Sequence, residues 1–243
     1  MVARYYGEYS QMKKLITYSL WGTNPTYNVG AIRNAEMSKD FYPDWICRFY
    51  VGTNTPQSVI EDLRSYSNTE VIETGEEGTP KSMLWRFQSI DEPDVEVMMP
   101  RDTDCRPSHR EVDAVKDWLS TDKKFHIMRD HPYHATAIMG GMWGMRKIEG
   151  WSITDRINEY LSLKDTKDEK GMDQVFLARY VYPLAQKDSV VHDPFFSSSP
   201  FGVDRDPSAM VYFVGECVTS DDGLWSQHDR DILDRAEGRS NGN

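Results

Sequence analysis

Between residues 14 and 119, short runs of β-branched and aromatic residues alternate with segments that carry helix-start signals and helical apolar spacing. This alternation constrains the fold more than any other feature. Parallel strands need a crossover between them, and a helix usually supplies it. Residues 14–20 predict a first strand, and a polar turn at Gly22, Asn24 and Pro25 leads to a helix over about 29–39. Residues 45–51 predict a second strand. Thr55 and Pro56 then predict an N-cap followed by proline at the first helical position, opening a helix through Leu63. A third strand is expected at 69–73, a helix at 82–90 and a fourth strand at 95–99. Ser108 and Glu111 have capping-box spacing and predict a helix ending near Leu119.

The second half is less regular. Residues 125–128 and 209–215 predict strands, 154–162 and 172–182 predict helices, and 165–170 form a charged, exposed loop. The tail after Arg235 is expected to fray. No repeat and no linker rich in Pro, Gly or Ser divides the 243 residues, so one domain is expected. With 39% hydrophobic residues, seven Trp and thirteen Tyr, the chain has ample material for a core. Its net charge of −11 argues against nucleic-acid partners, which are gripped mainly by Lys and Arg. Cys47, Cys105 and Cys217 are too scattered for a zinc spacing or a disulfide framework, which predicts a reducing compartment. No apolar run reaches the ~20 residues of a membrane span. Residues 1–10 are polar with no signal-peptide core, so a soluble cytoplasmic protein is expected.

The chemistry centres on Arg101-Asp102-Thr103-Asp104, directly after the apolar run that ends at Met99. Asp102 and Asp104 stand at i and i+2 and can share a face where a strand breaks into a turn. Magnesium-type ions take one or two such carboxylates and leave the other positions to water and phosphate oxygens. In parallel sheets ligands sit outside the carboxyl ends of the strands, which is where this pair falls. Arg101 and Arg106 would pair with the aspartates or offset diphosphate charge.

Farther on, three histidines (His126, His131, His134) fall within nine residues, but no H-E-x-x-H or cysteine pair accompanies them. Gly140, Gly141 and Trp143 read either as a loop where backbone approaches a ligand or as a tight turn with a core Trp. Asp173 and Gln174 open a predicted helix, and His192 ends a short apolar run.

In this order the motifs resemble GT-A-type nucleotide-sugar glycosyltransferases. The series D-x-D, D-Q and a late histidine is similar to that of the glycogenin-like retaining transferases. The R-D-x-D, H-I-M-R-D-H-P and G-G-M-W-G motifs also resemble those of a group of viral and bacterial glycosyltransferase-like proteins. The resemblance covers roughly residues 13–195. Two departures stand out: the hydrophobic stretch around D-x-D is short, and the Gly and Lys that follow the histidine in the glycogenin-like enzymes are missing.

The resemblance implies a GT-A-like fold, with a nucleotide-binding half over about 13–120 and an acceptor half that completes the metal site over about 121–235. It implies Mn2+ (or Mg2+) held by Asp102, Asp104 and His192, and a nucleotide-sugar donor, a UDP-sugar being the first choice. Tyr18 would hold the base, Arg86 would contact the donor, and Asp173 with Gln174 would face the donor sugar. The acceptor would be a hydroxyl on a glycan, a protein or a small molecule. An inverting reaction would need a carboxylate base, for which Asp130 and Asp173 are the candidates; retention is the expectation. The competing readings are a metal-dependent nucleotidyltransferase or phosphohydrolase built on the same aspartates, and a non-catalytic sugar- or peptide-binding module.

Overall fold

The computed structural model describes residues 12–239. The readings made for 1–10 and for the tail end at 240–243 lie outside these residues. β1 (Lys13–Leu20), β2 (Ile46–Val51), β3 (Thr69–Glu73), β4 (Val95–Pro100), β5 (Phe125–Met128), β6 (Trp143–Arg146) and β7 (Ser189–His192) form one sheet in the order β3-β2-β1-β4-β6-β5-β7. β1 pairs in parallel with both β2 and β4, β2 with β3, and β5 with β7. β6 alone runs antiparallel, between β4 and β5. The architecture is the expected α/β one, a mostly parallel sheet flanked by helices.

Alternation along the strands sends side chains to two cores, since successive residues face opposite sides of a sheet. On β1, Leu15 joins one core with Leu84, Phe87, Met98, Trp143 and Phe176. Ile16, Tyr18 and Leu20 join the other, with Ala31, Phe49, Leu63, Met99 and Trp118. The second core lies under α1 (Pro25–Phe41), α2 (Gln57–Arg64) and α3 (His109–Leu119), and the first under a 3-10 helix (Pro80–Asp91), α4 (Ile153–Leu161) and α5 (Met172–Phe176). Each fully buried Leu, Ile or Phe contributes roughly 1.5–3 kcal/mol. Burial on both faces is why β4 reads as a continuous apolar run.

Several local expectations are corrected. α1 begins four residues early because the Asn24 side chain caps it, accepting from Thr26 N at 3.0 Å. Thr55 is not a cap: its hydroxyl donates to Leu20 O at 3.1 Å, and Pro56 precedes α2. Ser108 caps α3, accepting from Glu111 N, but Glu111 does not return the bond, because its carboxylate is engaged by Arg101 and Tyr42. The segment 82–90 is a 3-10 helix, not an α-helix. The segment 172–182 passes from α5 through a π turn (Leu177–Val181) into α6 (Tyr182–Ala185). Residues 209–215 form no strand. The amides there are drawn to carboxylates, Tyr212 N to Glu216 at 2.6 Å and Val214 N to Asp130 at 2.9 Å, and have no ladder partner. A last helix, α7 (Gln227–Ala236), was not expected. Beyond it, Glu237 pairs with Arg205 at 2.6 Å and Arg239 reaches the Tyr212 hydroxyl, so the start of the tail is tied down.

Among the described residues, no helix is long and apolar enough to cross a membrane.

Candidate active site

β2 and β3 lie to one side of β1 and β4 to the other, so the strand order reverses between β1 and β4. A crevice opens at such a point, outside the carboxyl ends of the strands, and ligands bind there. Both Asp102 and Asp104 sit on this rim.

The turn that carries them is fixed through its backbone. Arg101 N donates to Thr17 O at 2.9 Å, Cys105 N to Asp102 O at 3.3 Å and Arg106 Nη1 to Thr103 O at 2.9 Å. The Asp102 side chain is 43% exposed, and its Oδ1 pairs with Arg86 Nη1. The same Nη1 donates to Arg101 O at 2.8 Å, while Nη2 reaches Asp173 Oδ2 at 3.1 Å. Arg86 therefore ties the strand-end aspartate to the buried carboxylate at the start of α5. Above them pass Gly140 and Gly141. A Cβ on Gly140 would overlap Asp173 Oδ2, and one on Gly141 would overlap Asp102 Oδ2. The close approach expected of this glycine pair is thus to the two carboxylates.

Asp102 and Asp173 pair with one guanidinium, and Asp104 stands two residues beyond Asp102 with no ion-pair partner among the described residues. Burial works against the Arg86 charge, but Asp102 and Asp173 outweigh it and hold the pKa above its usual value. Asp173 is pushed up by burial and by Asp102, against the pull of Arg86. Asp104 is pushed up by burial and then by the charge on Asp102. The site carries an excess of negative charge that a cation would relieve. Two oxygen donors two residues apart, one of them half-exposed, fit the partial protein shell that Mg2+ or Mn2+ takes.

Other expected members lie elsewhere. His192 ends β7, three strand spacings from β4, on the order of 14 Å. Its Nδ1 bonds His126 Nε2 at 2.9 Å and its Nε2 meets Asp117 at 3.4 Å, so it is not a third ligand to the aspartate pair. Asp130 is 0% exposed and accepts from Arg110 at 2.8 and 2.9 Å, Arg205 at 2.5 Å and Val214 N at 2.9 Å. A carboxylate so saturated holds the 203–214 segment against α3 and cannot act as a base. Arg101 is also consumed: it bonds Glu111 and Pro100 O, and Trp143 O at 2.8 Å, leaving nothing for a diphosphate. Tyr18 is buried and stacked on Phe49 at 4.7 Å, not open to a base. Trp143 is a core residue, edge-on to Phe87 at 5.4 Å. Gln174 is half-buried, and its backbone N donates to Asp173 Oδ1 at 2.9 Å.

The sequence reading missed three neighbours of the rim. Tyr27, exposed in the first turn of α1, has its pKa raised by burial and then by Asp104, Cys217 and Asp102. An exposed aromatic at a helix start after β1 was the available signal. Cys105 and Cys217 are too scattered in sequence for a zinc spacing or a disulfide framework, yet both reach the Asp104 carboxylate. No local signal could show that, because 112 residues separate them in sequence.

No protein-family model matches the sequence, and no curated protein does. Solved structures are similar in part. One is a glycosyltransferase involved in glycosylation of the major capsid of PBCV-1, with 16% identity, a TM-score of 0.47, and 75% of this chain and 82% of that one covered. Another is a mannosyltransferase from Pyrobaculum calidifontis, in complex with GDP-Man and Mn2+ (11% identity, TM-score 0.49). That likeness covers 75% of this chain but only 55% of the mannosyltransferase. A third is the 4-diphosphocytidyl-2C-methyl-D-erythritol synthase of Anaerococcus prevotii (10% identity, TM-score 0.49, 78% and 92% covered). The likeness spans sugar-transferring and nucleotide-transferring enzymes.

Proposed function

We propose that this protein is a metal-dependent glycosyltransferase that moves a sugar from a nucleoside-diphosphate sugar, a UDP-sugar being the first choice, to a hydroxyl acceptor. The observation that carries the reading is the charge imbalance at the β1/β4 crevice, where Asp102 and Asp173 share the guanidinium of Arg86 and Asp104 adds a third carboxylate whose pKa is raised by burial and by Asp102.

Asp102 and Asp104 would hold Mn2+ or Mg2+, and the bound ion would supply Lewis-acid stabilisation of the departing diphosphate. Arg86 is buried and acts through its partners: it orients the Asp102 carboxylate and pulls the Asp173 pKa down against burial. It is a positioning residue, not a donor contact. Asp173 presents a fixed negative charge behind the crevice, suited to a sugar carbon that becomes electron-poor as the glycosidic bond lengthens. Gln174, next to it and half-buried, is placed to hydrogen-bond the sugar. Tyr27 offers an exposed ring beside the aspartates for the donor. Retention is favoured, because Asp130 is saturated and Asp173 is ion-paired, so neither candidate base is free.

The test is to incubate the protein with UDP-, GDP-, CDP-, TDP- and ADP-sugars in Mn2+ and measure nucleoside diphosphate release and nucleotide binding. Metal-dependent binding and release with one nucleotide, both lost in Asp104→Ala with the fold intact, is the expected result. Pyrophosphate release from a nucleoside triphosphate and a sugar phosphate would instead make it a nucleotidyltransferase. No nucleotide binding under any condition overturns the proposal.

A further inference from the structure

Beyond the D-x-D rim, the turn meets the C-terminal segment at a point where three donors of a different kind gather. Cys105 and Cys217 face each other across an isolated antiparallel bridge, held by Val218 N donating to Asp104 O at 2.8 Å. Both are free thiols, partly exposed, and both reach Asp104: Cys105 Sγ lies 3.8 Å from Oδ1 and Cys217 Sγ 3.6 Å from Oδ2. One donor atom from each of the three residues can be chosen so that all lie within 4.8 Å of one another. Among the described residues, no other group of three or more His, Cys, Asp or Glu side chains meets that condition.

We infer that Asp104, Cys105 and Cys217 form a binding site for a single thiophilic divalent cation of the Zn2+ or Cd2+ class. Zinc bonds of about 2.3 Å to sulfur and about 2.0–2.2 Å to oxygen give a tetrahedron whose sulfur–oxygen edges are about 3.5 Å. The sulfurs stand 3.8 and 3.6 Å from different oxygens of the Asp104 carboxylate, and side-chain rotation within the 4.8 Å span of the three donors brings the set onto that shape. The partial exposure of both thiols leaves the fourth position to water. Two sulfur donors set the selectivity: thiolates favour Zn2+ and Cd2+, whereas carboxylate and water sets suit Mg2+ and Mn2+. Binding exchanges the cation for the two thiol protons, which go to solvent: Zn2+ plus two thiols and one carboxylate gives the complex and two H+. Because Asp104 also belongs to the aspartate pair, a thiophilic ion held here draws that carboxylate away from Asp102.

The full-length, reduced protein, freed of metal, is titrated with Cd2+ while the thiolate-to-cadmium charge-transfer absorption is followed. Zn2+ binding is measured by calorimetry in buffers of different ionisation enthalpy. No nucleotide is present, so the result stands apart from the transferase reading. The expected result is one equivalent of metal and two protons released. Cys217→Ser should halve the absorption and release one proton. Loss of even an outer-shell partner weakens metal sites about 10–100-fold, so loss of this ligand should cost at least tenfold in affinity. Asp104→Asn should weaken Zn2+ binding while leaving the cadmium absorption at its two-thiolate intensity. Cys47, fully buried with its thiol pushed up to about 12 by desolvation, provides the internal control, and Cys47→Ala should change nothing. Folding of each variant is checked by circular dichroism, with Cys217→Ala as a second variant if the serine form does not fold. A cadmium absorption that survives in the Cys105→Ser/Cys217→Ser double variant, or Zn2+ binding with no proton release, overturns the inference.

Discussion

Replacing Arg86 by methionine isolates the interaction on which the crevice depends. The methionine fills much of the volume but removes three hydrogen bonds, to Arg101 O, Asp102 and Asp173. Asp102 is 43% exposed and will be rehydrated, so its loss is worth no more than about 1 kcal/mol. Asp173 is buried and has no such recourse. Removing one partner of a buried pair costs about 3–5 kcal/mol, because the remaining charge stays uncompensated. The variant should lose that amount at pH 8. The sign of the pH dependence follows from Asp173, whose pKa already lies above its ordinary value and will rise further without Arg86. An acid with a raised folded pKa binds more protons when folded than when unfolded, so its penalty is present above that pKa and relieved as the pH falls. Urea unfolding at pH 8 and pH 5 should therefore show a smaller deficit at pH 5. The double variant Arg86→Met/Asp173→Asn, which removes both charges, should recover about 2–3 kcal/mol relative to additivity. Additivity to within about 0.5 kcal/mol would refute the coupling and the role given to Arg86.

Asp130→Asn should destabilise the fold by several kcal/mol, because Arg110 and Arg205 lose a buried partner, yet leave nucleotide affinity unchanged in the folded fraction. A specific loss of turnover at wild-type stability would restore a catalytic role. Gly141→Ala places a methyl group against Asp102 and should weaken metal-dependent nucleotide binding, with an overpacking cost of about 1–3 kcal/mol in urea unfolding; unchanged nucleotide affinity would show that Asp102 can move freely. His134, pushed down to about 3 by burial, and His126, also lowered by burial, stay neutral in the fold. Unfolded histidines take up protons below about pH 6.5, so stability should be lost as the pH falls through that value, by up to about 1.4 kcal/mol per unit for each. Unfolding midpoints that are flat between pH 7.5 and 5.5 would contradict this.

The sheet was largely legible because β1, β2 and β4 are buried on both faces and announce themselves as apolar runs. β6 was not: Gly144 interrupts its four residues, and its pairing depends on insertion between two distant strands. The 209–215 segment has strand-like residues, but carboxylates from Asp130 and Glu216 claim its amides. α7 is highly charged and buries Leu233 alone, which left it without apolar periodicity. Asp102, Asp173, Gly140 and Gly141, singled out separately along the sequence, are brought together by the fold, and Arg86 joins them through the buried helix before β4. His192 ends a strand, but strand order decides which neighbours it has there, and that order is not written locally. The burial of Tyr18, Arg101, Asp130 and Trp143 likewise depends on partners between 1 and 84 residues away.

The central claim is that Asp102 and Asp104 hold a divalent cation which in turn holds a nucleoside diphosphate. The most direct measurement is calorimetric binding of UDP, GDP, CDP, TDP and ADP with Mn2+ and with EDTA, for the native protein and for Asp102→Asn. One nucleotide that binds with Mn2+, fails with EDTA and fails in the variant is the predicted outcome. Binding that is indifferent to both the metal and Asp102 would contradict the account.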